Sequence, residues 1–228
     1  MDYPPIWTPA PGVTLYNADC LEVLPTLAGL DAVITDPPYG IQYDASHTKY
    51  LGGTDRDGQA DWDMAPYDPA PILALDLPSV IWGAQCFASR MPDRPAWLIW
   101  IKTQRDAVQI RQAEAELAWC NAIQRSQVIR HLWIGAFRDS ESGQQNIHPT
   151  QKPVRVMAWC MDAARVATGA LVVDPYMGSA STILACIRTG RRAIGIERDP
   201  GHYQAACARV AAELQQPFLL APIQAALV

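Results

Sequence analysis

Between Ala170 and Glu197 the chain carries one unit that limits its fold more than any other stretch. Ala170-Leu171-Val172-Val173 is a β-prone apolar run of strand length, and it ends in Asp174-Pro175-Tyr176. Met177-Gly178-Ser179-Ala180-Ser181-Thr182 then makes a small-residue turn that opens into the apolar helix Ile183 to Thr189. Gly190-Arg191-Arg192 breaks that helix, and a second strand, Ala193-Ile194-Gly195-Ile196, ends in Glu197. Strand, turn, helix and strand with a terminal acid form a βαβ unit. Such units build α/β folds, whose ligands sit in the crevice outside the carboxyl ends of the strands.

The details of this unit narrow the ligand. Gly178 and Ser179 let a molecule approach the backbone closely, and an acid at the end of the second strand can accept hydrogen bonds from both hydroxyls of a ribose. The G-x-G-x-x-G pattern of dinucleotide sites is absent. The turn therefore suits an adenosine-bearing ligand without a pyrophosphate, such as S-adenosylmethionine.

A second βαβ unit stands near the start. Val13-Thr14-Leu15-Tyr16-Asn17 alternates like a strand and leads to Asp19-Cys20, after which Leu21, Leu24 and Leu27 recur at helical spacing up to Gly29. The apolar run Asp31-Ala32-Val33-Ile34-Thr35 follows and ends in Asp36-Pro37-Pro38-Tyr39. Asp19 and Asp36 thus close two neighbouring strands at the same end. Asp19 suits a helix N-cap as well as a ligand contact. Each proline fixes φ and lacks an N–H, so the second turn is stiff and presents a carboxylate, uncommitted carbonyls and a flat ring. That combination can hold a planar molecule by one edge and one face, although a proline-rich strand exit with a solvated Asp would read the same way.

A third cluster, Ile147-His148-Pro149-Thr150-Gln151-Lys152-Pro153, precedes a helical run from Val154 to about Ala167. A helix start offers free N–H groups and a positive field to an anion, and Lys152 adds a cation there. A capped surface helix would carry a similar heptapeptide. Elsewhere the pattern is simpler. Gly40 to Pro71 reads as a long loop with Gly52-Gly53, several Asp and Trp62-Asp63. Strand runs return at Ser79–Gly83 and Ala96–Ile101, Asp106 to Asn121 is compatible with a helix, and Ser126 to Phe137 reads as a further strand region. Trp82, Trp97, Trp100, Trp119 and Trp133 are expected to pack in the core and on the sheet.

Composition sets the remaining bounds. A chain of 228 residues, half of them hydrophobic and 18% charged, is long enough for one well-buried α/β domain with insertions. The net charge of −5 offers no general attraction to nucleic acid, but its distribution is uneven. Residues 1–89 carry 2 Lys/Arg against 12 Asp/Glu, residues 90–155 carry 10 against 6, and residues 156–228 carry 6 against 5. The six cysteines are scattered without a C-x-x-C pair and the four histidines are dispersed, so neither a zinc site nor a disulfide framework is indicated. The start lacks a signal-peptide pattern and no run of about 18 apolar residues occurs, which leads us to expect a reduced, cytoplasmic enzyme with no membrane partner and no metal.

In their order, these motifs resemble those of the DNA amino-methyltransferases that place a D-P-P-Y motif before the cofactor turn, the permuted or beta-group arrangement, and especially small phage- or prophage-type adenine-N6 enzymes. The landmarks are Asp19-Cys20, Asp36 through Gly40, Trp62-Asp63, Ile81-Trp82-Gly83, Glu116-Leu117-Ala118-Trp119, His148 through Pro153, Asp174 through Thr182, and Gly195-Ile196-Glu197. The resemblance spans nearly the whole chain and implies a Rossmann-like S-adenosylmethionine-dependent α/β fold. Its mostly parallel, seven-stranded sheet would have helices on both faces, in one domain with DNA-contacting insertions at about 43–62 and 102–147.

The same resemblance assigns roles residue by residue. Asp36, Pro37, Pro38 and Tyr39 match the catalytic motif, and Asp36 is expected to touch the cofactor as well. Asp19, with Cys20, matches the partner of the cofactor's adenine amino group, Glu197 with Arg198 the ribose end, and Asp174, Pro175, Met177, Gly178, Ser179 and Ser181 the methionine-binding turn. His148, Thr150 and Lys152 match the segment that closes over the cofactor's amino acid end. Implied partners are S-adenosylmethionine, with S-adenosylhomocysteine as product, and double-stranded DNA. Lys49, Arg56, Arg105, Arg125 and Arg138 are the candidate DNA contacts. Adenine is favoured over cytosine because Asp opens the motif, a homodimer is expected to widen the DNA footprint, and a place in restriction–modification follows by analogy. One departure stands out: Ala180 replaces the family's usual glycine, a costly exchange if that position needs φ > 0.

Overall fold

The computed structural model describes residues 2–40, 67–103, 113–134, 137–143, 146–148 and 150–216. Its centre is five parallel strands: β2 (Val13–Asn17), β11 (Arg192–Glu197), β10 (Leu171–Asp174), β3 (Ala32–Thr35) and β4 (Ser79–Trp82). β1 (Ile6–Ala10) adds an antiparallel edge beside β2. Beyond β4, the strands β6 (Ala115–Cys120), β5 (Trp97–Ile101) and β7 (Gln127–Arg130) complete the order β1-β2-β11-β10-β3-β4-β6-β5-β7. Among the described residues the main sheet has nine strands where seven were expected, because both edges are extended. β8 (Trp133–Ile134) and β9 (Phe137–Arg138) form a separate hairpin.

Residues 115–120 correct the helical reading of Asp106 to Asn121. Ala, Glu and Leu favour a helix weakly, but pairing on both sides outweighs propensity: β6 runs antiparallel to β4 and to β5, with Trp119 opposite both Ile81 and Trp97.

Helices cover both faces. α3 (Val154–Ala163), α4 (Ser181–Arg188) and α5 (Pro200–Gln215) enclose a core with Ile34, Val80, Trp82, Trp100, Met157, Ile183 and Tyr203. On the other face α1 (Cys20–Val23), α2 (Ala70–Leu73) and the 3₁₀ turns Leu24–Thr26 and Ala84–Arg90 pack over Val33, Ile81, Trp119, Val173 and Ile196. Adjacent residues of one strand enter different cores, as the period-2 alternation of a strand requires. Trp82, Trp100, Trp119 and Trp133 are buried and Trp97 is half-buried, as expected for core and sheet packing. α1 is one turn long because Pro25 follows it, so the helix expected from Leu21 to Leu27 continues only as a 3₁₀ turn.

α5 was not anticipated. Asp199 caps it by accepting from His202 N at 2.7 Å. The Tyr203 hydroxyl donates to the Pro4 carbonyl at 2.6 Å, and Gln204 exchanges hydrogen bonds with both backbone groups of Tyr3. The helix that follows β11 thereby holds the chain start against β2, beside the strand it pairs with. No described helix is long and apolar enough to cross a membrane.

Candidate active site

The parallel strand order decides where the motifs meet. Read across β2, β11, β10 and β3, the carboxyl ends deliver Asp19, Glu197, Asp174 and Asp36 side by side, and β4 delivers Gly83. β11 and β2 are paired from Ala193↔Val13 to Glu197↔Asn17, so segments from opposite ends of the sequence share one rim. A cleft of about 870 Å³ opens there, within the range of small-molecule sites. Every residue expected to bind cofactor or carry the catalytic motif lines it: Asp19, Cys20, Asp36, Pro37, Pro38, Tyr39, His148, Thr150, Lys152, Asp174, Pro175, Met177, Gly178, Ser179, Ser181, Glu197 and Arg198.

One end of the cleft is a buried charge network. Asp36 Oδ1 accepts from the Tyr39 hydroxyl at 2.6 Å and Oδ2 from Lys152 Nζ at 2.5 Å. Lys152 Nζ also donates to Tyr39 Oη at 3.1 Å and lies 5.6 and 5.8 Å from the ring centres of Tyr39 and Trp82. Glu116, on β6, comes within 3.1 Å of Lys152 through Oε2, while its Oε1 accepts from Lys102 at 2.6 Å. Burial raises the Asp36 carboxyl above its usual range, against the pull of Lys152. Burial also acts to raise Glu116, but Lys152 and Lys102 overcome it and hold that carboxyl at about 2. Burial acts to lower Lys152, yet Asp36 and Glu116 together keep it well above the ordinary lysine value, so the ammonium is charged at neutral pH.

Lys152, expected to add a cation beside the helix start, directs that charge at two carboxylates. Its side chain turns to Asp36 and Glu116, and the first turn of α3 is served by Glu141, whose Oε2 accepts from Val154 N at 3.0 Å. Tyr39 is held by Gly83. The glycine has φ +70°, and a Cβ there would sit 1.9 Å from Tyr39 Cε1, so the ring lies directly on the glycine backbone.

The other end is the small-residue turn. Glu197 accepts from Gly178 N at 3.1 Å through Oε2 and from Asp199 N at 2.8 Å through Oε1. Each oxygen keeps a further lone pair for hydroxyl donors. Burial raises its carboxyl above the usual range. Asp174 shapes the turn from inside: Oδ1 accepts from the Thr35 hydroxyl at 2.7 Å and from Tyr176 N at 3.2 Å, tying β3 to β10. Burial pushes its carboxyl up to about 6. Asp19 accepts from Leu21 N at 2.9 Å, so the cap exists, and the same residue lines the cleft. Ala180 is fully buried at φ 61°, ψ 25°, the left-handed conformation in which alanine is costly.

Several residues at the site carried no sequence signal. Arg209 on α5 donates to the Ser179 carbonyl at 2.7 Å and to Ser181 Oγ at 3.0 Å, and pairs with Glu141. Ser181 Oγ in turn donates to the Lys152 carbonyl at 2.6 Å, which joins the turn to the Lys152 segment. Trp100, Lys102 and Trp133 line the cleft as well. Strand register could have placed Lys102 beside Glu116, a landmark of the resemblance, because Trp100↔Glu116 is a cross-strand pair once residues 115–120 are a strand. Of the candidate DNA contacts, Lys49, Arg56 and Arg105 lie outside the described residues, as does Trp62-Asp63. Arg125 is exposed between β6 and β7, and Arg138 stacks over Trp133 at 4.3 Å; neither lines the cleft.

Several known proteins are similar to this chain. YubD of Escherichia coli (strain K12) is 27% identical over 209 residues, covering 86% of this chain and 89% of that one. The M1.HpyAVI–SAM complex is 22% identical with a TM-score of 0.51, covering 86% of this chain and 99% of that chain. The cytosine-N4-specific PvuII DNA methyltransferase is 14% identical with a TM-score of 0.57, covering 87% and 86%. These two structures share the fold. Residues 89–208, more than half of the chain, match the N6/N4 DNA methylase family and include the Lys152 segment, the Asp174–Thr182 turn and Glu197. The chain is therefore a member of the N6/N4 DNA methylase family.

Proposed function

We propose that this protein is an S-adenosylmethionine-dependent DNA methyltransferase that modifies the exocyclic N6 amino group of adenine in duplex DNA. The observation that carries the reading is that Asp36-Pro37-Pro38-Tyr39 and the Gly178-Ser179 turn with Glu197 line one cleft, although up to 161 residues apart (197 − 36). The donor set fits the cofactor: a carboxylate with spare lone pairs for ribose hydroxyls, a glycine that leaves the backbone open, and an acid at Asp19 for an amino group. S-adenosylmethionine, when bound, supplies the electrophilic methyl group.

The protein's own residues prepare the nucleophile. The lone pair of an aromatic amino group is delocalised into its ring. Asp36 and the Pro37 carbonyl can each accept one amino hydrogen, drawing the nitrogen towards a tetrahedral geometry, and acceptors fixed in advance need no reorganisation when charge develops. The stiff Pro37-Pro38 turn supplies that fixity. Tyr39 offers a face to a base extruded from the duplex, a step that costs a few kcal/mol. Holding the base in line with the donor supplies the rest through orientation.

Adenine is preferred to cytosine because Asp36 opens the motif, as in the adenine enzymes the chain resembles. DNA contact is assigned to the segments 43–62 and 102–147, with Lys49, Arg56, Arg105, Arg125 and Arg138 as phosphate or base-edge ligands. The footprint needed to hold and read a duplex supports a homodimer of this 228-residue, single-domain chain, which light scattering with and without DNA decides.

Methyl transfer from labelled S-adenosylmethionine to unmethylated DNA, followed by sequencing that reports the modified base, tests the whole reading. N6-methyladenine is expected. N4-methylcytosine would replace adenine as the substrate, and no transfer to DNA would remove the proposal. Asp36→Ala is expected to abolish transfer while cofactor affinity stays within a few fold; full activity in that variant refutes the role of Asp36.

A further inference from the structure

Each carboxylate oxygen of Asp36 already accepts one hydrogen bond, Oδ1 from the Tyr39 hydroxyl at 2.6 Å and Oδ2 from Lys152 Nζ at 2.5 Å. A further lone pair remains on each, so a base amino group can be accepted, but the carboxylate it meets is neutralised by the Lys152 ammonium. Lys152 has somewhere to go. Glu116 Oε2 is buried, has no hydrogen-bond partner, and lies 3.1 Å from Lys152 Nζ at ion-pair distance without hydrogen-bond geometry. A buried carboxylate oxygen held by an ion-pair contact without a hydrogen bond is incompletely satisfied, so its persistence calls for an explanation. Lys102 holds the other oxygen of Glu116 at 2.6 Å and keeps that carboxylate in place.

We propose that Lys152 is a two-position latch: it occupies Asp36 while the cleft holds no base, and transfers to Glu116 Oε2 when the exocyclic amino group of a nucleobase takes its place on Asp36. This rests on the reading of Asp36 as the acceptor for that amino group, and it makes Glu116 and Lys152 positioning residues.

The charges explain why the move matters. While Lys152 sits on Asp36 its ammonium cancels the field that the carboxylate would apply to a nitrogen acquiring positive charge. Moving the ammonium onto Glu116 restores that field where it is needed and satisfies the vacant oxygen. Two carboxylates and two ammonium groups remain in the buried network throughout, so the exchange leaves its net charge unchanged. A lysine suits the part, since its compact head turns on a flexible stem, whereas a guanidinium would be fixed by its fork.

Two experiments on the full-length protein test the latch, one of them independent of activity. In the first, the Lys152 side chain is followed by lysine-selective NMR, assigned with Lys152→Met. In Asp36→Asn the ammonium is expected to remain immobile and charged on Glu116, and only the double variant Asp36→Asn/Glu116→Gln should release it. Release in Asp36→Asn alone overturns the proposal. In the second, single-turnover methyl transfer to unmethylated genomic DNA is measured in a double-mutant cycle. Glu116→Gln is expected to slow transfer at least tenfold with S-adenosylhomocysteine affinity within threefold, and to add less than twofold when Lys152 is already Met. An unchanged rate in Glu116→Gln, or an equal loss in both backgrounds, refutes the latch. A wild-type protein that transfers no methyl group removes the methyltransferase reading instead, and the NMR result then decides the latch alone.

Discussion

Gly83→Ala tests how the Asp36–Tyr39 motif is held. The residue lies at φ +70°, and its missing Cβ would fall 1.9 Å from Cε1 and 2.3 Å from Cδ1 and Cζ of Tyr39. Left-handed geometry costs an L-residue about 1–2 kcal/mol, and forcing an extra carbon into a filled space costs about 1–3 kcal/mol. Loss of glycine's freedom in the unfolded chain returns about 0.4–1 kcal/mol. The net is a destabilisation of about 3 kcal/mol, or about 6–12 °C in Tm for a chain of this size. If the ring swings away instead, the protein loses the hydrogen bond to Asp36, worth about 1.5–3 kcal/mol for a charged acceptor. Either way Tyr39 leaves its place. Thermal unfolding and single-turnover methyl transfer are measured together, and activity should fall at least tenfold with cofactor affinity within threefold. In a Tyr39→Ala background the ring is gone, and the cost of Gly83→Ala should shrink to the backbone contribution of about 1–2 kcal/mol. An equal cost in both backgrounds would show that the tyrosine is not what the glycine makes room for.

Three further outcomes are expected. Glu197→Ala should weaken cofactor binding in calorimetry, since it removes the acceptor proposed for the ribose and frees Gly178 N; an unchanged dissociation constant contradicts the assignment. Asp174 has a folded-state pKa of about 6 against an ordinary 3.8, so the native state binds the proton more tightly and stability falls as pH rises from about 4 through 6. The shift corresponds to about 3 kcal/mol at most, and Asp174→Asn, which keeps an acceptor for Thr35, should abolish that slope in denaturant titrations at pH 4 and 7. Glu141→Ala removes one partner of the buried pair with Arg209, which anchors the Ser179 carbonyl, and should destabilise the fold by about 3–5 kcal/mol in urea unfolding; a loss under about 1 kcal/mol would mean that the pair carries little.

The sequence by itself determined the pieces whose cause is local. Apolar runs ending in Asp19, Asp36, Asp174 and Glu197 announced buried strands with acids at their carboxyl ends, and the period of the side chains needs nothing beyond the chain to state it. Small residues announced the turn at Gly178, and the glycine missing at position 180 announced a strained backbone, now seen at φ 61°. The tertiary structure alone decided the rest. Residues 115–120 have a helical composition and became a strand because β4 and β5 offered partners on both sides. That choice placed Glu116 beside Lys152, a contact across 36 residues that no local pattern encodes (152 − 116). Arg209 reached the Gly178–Ser181 turn because α5 packs on it, and Gly83 proved to be a seat for Tyr39 because strand β4 lies next to β3. Local propensities weigh tenths of a kcal/mol per residue, while burial and charge pairing between distant segments weigh several, so the former name the elements and the latter settle what meets.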